Sequence, residues 1–501
     1  MIDDLLTHIP LPLFVLLVGS LLSPIMGMLG EKFSFRKASE AWVLIVSVAA
    51  LIGVYILYQQ VQATSGVAVF SFWGQPPPLG GSFEVDSVGV FMAFSIAFLG
   101  CLVSVYSVSY MAKESRLTEF YTLVALMETG LTGVVLSGDM LTLFVFWELM
   151  SVSSYVLVSF LKGTWGPVEA GWKYLVMSAS AGAFLLLSMS FIYGMTGTLS
   201  FAGIALAFKG AAFTLWPRLL FATLVIGFGV KSAIVPLHTW LPDAHPEAPS
   251  PISALLSGIV IETGLYALTR TLYLVFDPAI FQIPIAVLAA LTMTLANVTA
   301  MYQNDIKRMF AYSSIAQIGY MMVGLAAGTA YGIMGLFLHI FNHSLMKGLA
   351  FLSTGSIVHE TGTRDIDKLR GIGRMMPLTA LALFVAVLSL GGVPTTSGFI
   401  SKFVLFNSAF DVGLGWLAAI ALINSALSMG YYLRVMRNLF SKPAEGVLVH
   451  ESPPLMVGVT LAMAFLIIVF GLWPAPLIDF ATGAGNALVQ GAAHYISAVF
   501  G

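Results

Sequence analysis

The stretch IGFGVKSAIVPLHTWLPDAHPEAPSPISALLSG, residues 226–258, decides how the rest of the chain is read. It places Lys231 inside an apolar run and follows it with Pro236. A polar, proline-studded turn comes next, carrying His238, Asp243, His245 and Glu247 among Pro242, Pro246, Pro249 and Pro251, before hydrophobicity resumes. Lys231 lies about 15 residues into its segment, about 22 Å at the helical rise, which is too deep for its ammonium to snorkel to an interface. A lysine near a bilayer centre costs roughly 2.5–3.5 kcal/mol even on lenient insertion scales. A helix break at that depth frees backbone groups that lipid cannot satisfy, so it is buried in protein or lines a wet cavity. Together the two features point to an ion path.

Composition sets the surroundings. Of 501 residues 58% are hydrophobic and 9% charged, with a mean hydropathy of +0.93. A soluble domain carries about 25% charge, so the chain is an all-α polytopic membrane protein. One cysteine, Cys101, excludes a disulfide framework, a CxxC zinc site and an iron–sulfur cluster held by this chain alone. There is no Walker A motif, no GxGxxG and no basic nucleic-acid patch, so neither a cofactor nor a nucleic acid is expected. The start, MIDDLLTHIP, is acidic where a signal peptide is basic, and the first span is expected to be retained.

Apolar runs of 17–25 residues predict about fourteen spans: 11–29, 41–62, 86–110, 118–137, 139–161, 169–195, 217–239, 251–274, 281–301, 306–327, 330–356, 376–404, 412–440 and 453–480, with 481–501 as a tail. The loops after spans 1, 3, 5, 9, 11 and 13 and their helix ends hold 16 of the 22 Lys and Arg. By the positive-inside rule both termini then face outward. The loop after span 7, the polar turn itself, is the exception and holds neither Lys nor Arg.

With that orientation, spans 4–8 and 9–13 have opposite polarity, and each block has a disrupted helix at its fourth position. In span 7 the disruption is expected around Gly227, Gly229 and Pro236, next to Lys231. In span 12 it is GGVPTTSG, 391–398, next to Lys402. Interrupted helices in matching positions of inverted halves point to a transport site. The expected units are 1–117, the first repeat 118–274, the second repeat 281–440, and 441–501.

Other charges lie at depth: Glu128 in span 4, Glu148 in span 5, Glu262 in span 8, and His339, His343 and Lys347 in span 11. The last three recur every four residues and share one helix face, which favours a proton relay. His339 and His343 have metal-ligand spacing, but the stripe offers no third ligand. Glu128 is equally readable as a packing residue. His8, His450 and His494 lie at ends or in loops. A lysine that gains and loses a carboxylate partner takes up and releases a proton, and water-bridged Lys, Glu and His carry protons across a midplane.

Six segments carry a resemblance: VDSVGVFMAF…YSVSYM (85–111), GDMLTLFVFWELMSVSSYVLV (138–158), KSAIVPLHTWLPDAHPEAPSPISALLSG (231–258), DIKRMFAYSSIAQIGYM (305–321), HIFNHSLMKGLAFLSTG (339–355) and GGVPTTSGFISKF (391–403). At these the chain resembles the antiporter-like membrane subunits of respiratory complex I, the Mrp cation/proton antiporters and energy-converting hydrogenases, over about residues 84–440. The resemblance implies two inverted five-helix repeats with discontinuous helices 7 and 12. It implies Glu148 as the acidic partner of Lys231 and Lys402 as the terminal lysine of the second half-channel, with His238, Asp243 and His245 in support.

The resemblance also implies a function. It is proton translocation, alone or coupled to Na+, inside a multisubunit complex of a prokaryotic cytoplasmic membrane. The expected partners are other antiporter-like and small helical subunits and a peripheral redox arm or Mrp subunits. Lys402 and Lys347 match the Mrp-D, hydrogenase and chain-N or chain-L types. Glu262 stands where many relatives carry lysine or histidine. The expected link runs Lys231, Glu262, the His339/His343 stripe, Lys347, Lys402. Rival readings are a stand-alone antiporter, a non-transporting scaffold, and the membrane partner of an inorganic-carbon-accumulating complex.

Overall fold

The computed structural model describes residues 8–33, 37–64, 66–71, 81–210, 213–443 and 449–500. Its helices are α1 (Leu11–Lys32), α2 (Ala38–Ala63), α3 (Ser87–Tyr110), α4 (Leu117–Leu136), α5 (Met140–Val158), α6 (Trp165–Thr196), α7 (Phe201–Phe208), α8 (Leu215–Lys231) and α9 (Leu241–Glu247). They continue as α10 (Ser250–Val275), α11 (Pro278–Met301), α12 (Ile306–Ala327), α13 (Ala330–Thr361), α14 (Pro377–Gly391), α15 (Ser397–Asp411), α16 (Gly415–Leu439), α17 (Pro454–Leu472) and α18 (Ala475–Phe500). Between α2 and α3 an antiparallel hairpin pairs β1 (Val67–Ser71) with β2 (Ser82–Asp86), Val67 opposite Asp86.

Side-chain caps start several of these helices. Asp86 accepts from Gly89 N, Asp139 from Thr142 N, Asp305 from Lys307 N and Arg308 N, and Thr329 from Gly332 N, satisfying donors the first turn leaves free. Left-handed Gly197, Gly328 and Gly362 end α6, α12 and α13.

Burial separates centre from rim. The most apolar window of α10 is wholly buried and that of α12 94% buried, whereas those of α1, α2, α6 and α11 are 39% buried. Glu262 and Arg270 on α10 therefore face protein, and α13 is buried continuously from Gly332 to Ile357.

By length and composition, eleven of the described helices can cross a membrane, or twelve if the pair Ile366–Met375 and Pro377–Gly391, bent by 119°, counts as one span. That count alone does not reach fourteen. The helix α8 is only 17 residues long, α14 and α15 are 15 each, and the polar stripe of α13 dilutes its hydropathy.

One expectation changes, a second is refined, and a third feature is new. The segment 481–501 is not a tail: 475–500 form α18, which packs on α13, α3, α7, α10 and the hairpin. Its small and polar residues leave it too weakly hydrophobic to read as a span. The interruption of span 7 falls next to Lys231 and across Pro236, as expected, and not at Gly227 and Gly229, which lie inside α8: the helix ends at Lys231, and 232–240 form turns. Within α10, Leu256–Val260 make a π-turn just before Glu262, which apolar periodicity does not reveal.

Candidate functional site

The first break is held together by side chains from its neighbours. Ala233 takes a left-handed φ of 53°, so the α8 ladder cannot continue. The freed amide of Val235 donates to Thr292 Oγ1 of α11 at 3.2 Å, and Trp240 Nε1 caps the Val230 carbonyl at 2.7 Å. The break thus has the internal satisfaction that a membrane interior demands.

Lys231 Nζ donates to Tyr174 Oη at 2.9 Å. That hydroxyl accepts from Ser154 Oγ at 2.9 Å, and the Tyr174 ring stacks on Trp240 with centroids 3.9 Å apart. The ammonium also lies over the Tyr174 ring at 4.7 Å and the Trp147 ring at 5.9 Å, a cation–π box. Glu148, half-buried on α5, makes no direct ion pair with Lys231; the phenol holds the ammonium instead.

The second break is shorter. Residues 392–396 separate α14 from α15, with Gly392 at φ 81°. Lys402 Nζ donates to the Leu390 carbonyl at 2.6 Å and to Ser425 Oγ at 3.0 Å, and lies 4.5 Å from the Tyr320 ring centroid. A cation on the last carbonyls of α14 is favoured by the helix dipole.

Between the breaks lies α13. His343 Nδ1 meets Glu262 Oε1 at 2.5 Å, both side chains fully buried. The His339 ring follows, 6.1 Å from that of His343. His339 bonds Ser401 Oγ through Nδ1 at 2.8 Å and Gln317 Oε1 through Nε2 at 3.0 Å. Ser401 adjoins Lys402, and Gln317 Nε2 donates to the same Leu390 carbonyl at 3.2 Å.

On the Lys231 side, α10 packs so closely that a Cβ on Gly264 would lie 2.7 Å from Ser232 Oγ. The α8 break therefore sits two residues from Glu262. Glu262 Oε2 and His343 Nε2 have no hydrogen-bond partner among the described residues. Buried polar atoms of this kind are where relaying water binds.

The order of contacts differs from the expected one at Lys347. Its ammonium bonds the Phe310 carbonyl at 3.0 Å and Ser313 Oγ at 2.6 Å, and Ser313 bonds Tyr432. With eight residues along one helix separating it from His339, Lys347 stands off the His339–Lys402 link, as a branch beyond His343.

The supporting residues are dispersed. Asp243 forms ion pairs with Lys173 at 2.9 Å and Arg308 at 3.1 Å. His245 is fully buried against Phe351, ring centroids 4.5 Å apart, and His238 is half-buried near Tyr312. Glu128 accepts from Ser47 Oγ of α2 at 3.0 Å and packs on Gly100 of α3, away from the row. Lys307, at the start of α12, is buried and donates to the Ala248 carbonyl at 2.7 Å.

Tyr174, Ser154, Gln317, Ser401 and Ser425 were not singled out from sequence. Gln317 alone carried a signal, an amide inside an otherwise apolar stretch.

Fold and row together define a multi-pass α-helical membrane protein with titratable side chains strung through its most buried helices. The profile of the family described as "NADH:quinone oxidoreductase/Mrp antiporter, TM" matches residues 137–428, and that of "NADH-Ubiquinone oxidoreductase (complex I), chain 5 N-terminus" matches 78–121. The chain belongs to the NADH:quinone oxidoreductase/Mrp antiporter family of membrane subunits.

It is 36% identical over 423 residues to F(420)H(2) dehydrogenase subunit N of Methanosarcina mazei, covering 81% of this chain and 85% of that one. It is 30% identical over 521 residues to NADH-quinone oxidoreductase subunit N of Myxococcus xanthus, covering 96% and 97%. Among solved structures it resembles a chain of the membrane-bound sulfane sulfur reductase, an archaeal respiratory membrane complex, with a TM-score of 0.88 at 29% identity over 98% of this chain and 99% of that one. A chain of the Mrp complex from Dietzia shares the fold, with a TM-score of 0.88 at 23% identity over 98% and 99%.

Proposed function

We propose that the chain translocates protons, alone or coupled to Na+, as an antiporter-like subunit of a redox-driven or Mrp-type membrane complex. The observation that carries this reading is the buried row itself: Lys231 in its aromatic box, Glu262 on His343, His339 on Ser401, and Lys402 on the open end of α14. Each member exchanges a proton or bonds one that does, and each lies where an unpaired charge is costly. Glu148 is the nearest acidic modulator of Lys231, and Lys402 is the exit-side group.

Fourteen crossings follow if α13, the α8–α9 pair and the α14–α15 pair are added to the eleven. The units 1–117, 118–274, 281–440 and 441–501 then keep their inverted-repeat meaning. The hairpin, α7 and α18 lie at one face. The other face carries the ion pairs of Lys173, Arg308 and Arg364 with Asp243, Glu247 and Asp305, which supports placing that face inside a prokaryotic cytoplasmic membrane and both termini outside. Other membrane subunits and a peripheral arm or Mrp subunits are the partners, as in the complexes that the solved relatives belong to.

The test is ion pumping by the assembled complex in sealed vesicles. Lys231→Ala and Glu148→Ala should each lower it about 100-fold or more, the scale of losing a positioned proton-transfer group. Full pumping by either variant with assembly intact rejects the reading.

A further inference from the structure

A second buried charged cluster, at the hairpin face, lies outside the row. Arg270 of α10 is fully buried and holds Asp86 at 2.7 and 3.0 Å through its two terminal nitrogens. Its Nε donates to Tyr266 Oη at 2.6 Å. Tyr495 of α18 contacts the guanidinium and donates to Asp86 at 2.7 Å. Asp139 is saturated by Ser82 N, Ser82 Oγ, Thr142 N and Thr142 Oγ1.

Of the three carboxylates gathered here, only Glu84 lacks a bond among the described residues. It is 1% exposed, and its Oε2 has no partner among the described residues. Burial is the main cause pushing its carboxyl up to about 8; Arg270 pulls it down, while Asp139 and Asp86 add to the rise.

This cluster is joined to the row by spacing. Glu262, Tyr266 and Arg270 are four residues apart on α10, so they share one buried face. Glu262 touches His343 at one end, and Arg270 reaches Asp86 and the Glu84 strand about 12 Å further along. No other described face of α10 carries charge at both ends.

We propose that Glu84 is the proton-accepting group at the hairpin end of an outlet that leaves the row at Glu262 and follows the Tyr266–Arg270 face of α10. In the transfer the Glu262 O–H bond breaks and a Glu84 O–H bond forms. The proton passes by way of water along that face, the Tyr266 hydroxyl keeping its own proton on the Val135 carbonyl, and no electron moves. Arg270 stays charged throughout. Its fixed charge favours the ionised, accepting form of Glu84, while Asp86 and Tyr495 keep the guanidinium in place. The outlet rests on the proposed function, proton translocation through the buried row that Glu148 and Lys231 feed.

The experiment compares Glu84→Gln, Glu84→Asp and Glu148→Gln in the assembled complex in vesicles, with pumping followed as the pH on the hairpin side is varied from 6 to 9. Glutamine copies the neutral side chain, so a merely packed, protonated Glu84 predicts no change. The outlet predicts a five- to tenfold loss in Glu84→Gln and disappearance of the inflection near pH 8, with Glu84→Asp restoring pumping and moving the inflection. Parent-like pumping and pH profile in Glu84→Gln overturns it. So does a Glu84→Gln complex that fails to assemble while Glu84→Asp pumps with an unmoved profile. If Glu148→Gln is inactive while Glu84→Gln is normal, the outlet alone fails; if Glu148→Gln pumps fully, the underlying reading fails.

Discussion

The two broken helices hold their lysines in different ways. At the first break the ammonium of Lys231 rests on another helix's side chain, the Tyr174 phenol, within a box of rings. At the second, Lys402 rests on the freed backbone carbonyl of the helix that its own break interrupts. A phenol can rotate away; a carbonyl fixed in a helix end cannot. On the proposed function, the first site would change partner, with Glu148 as its other choice, and the second would hold position and exchange only its proton.

This contrast can be broken most directly at Lys402. Arginine keeps the charge and suits the helix end, yet it does not deprotonate in proteins. Lys402→Arg should lower pumping about 100-fold with assembly preserved. Normal pumping would make Lys402 a fixed charge and erase its carrier role.

A smaller effect is expected between the breaks. Glu262→Gln keeps shape and polarity but cannot titrate, and should lower pumping about tenfold, equivalent to ~1.4 kcal/mol. His343→Ala removes the joint itself and should lower it further. Transport that survives Glu262→Gln and fails in His343→Ala moves the relay off Glu262. The smallest effects sharpen the contrast. Tyr174→Phe removes the main hydrogen bond to Lys231, a loss of about 1.5–3 kcal/mol for a charged donor. Ser425→Ala leaves Lys402 its carbonyl and should change pumping about twofold. Equal effects in steady-state pumping assays would show that the two sites are held alike.

Much of this arrangement was legible because charge inside apolar sequence is costly and therefore conspicuous. Lys231, Lys402, Glu262 and the His339–His343–Lys347 stripe all stood out, and the gap between α14 and α15 fell inside the predicted GGVPTTSG. What stayed hidden depended on contacts distant in sequence. Tyr174 is 57 residues from Lys231, and Asp86 is 184 from Arg270; neither tyrosine nor an end-of-span Asp–Arg pair announces itself. The first break falls next to Lys231 and across Pro236, as its proline suggested; Gly227 and Gly229 stay helical, and Thr292 and Trp240 satisfy the groups the break frees. The α18 helix escaped because hydropathy measures lipid exposure, and this helix covers protein.

The π-turn at Leu256–Val260 works as an angular offset built into one rod. It splits α10 into two sets of contacts with independent phase. Before it, Ser253 bonds the His245 carbonyl and Ser257, inside the turn, bonds Ser314. After it, Glu262, Tyr266 and Arg270 point at His343, Val135 and Asp86. A regular helix of the same span would hold one residue fewer, and each residue is worth about 100° of rotation. With that residue absent and the first set still seated, the second would swing about a quarter-turn off its partners. A single amino acid, none of whose atoms need touch a proton, thus sets the aim of three charged or hydroxyl-bearing side chains.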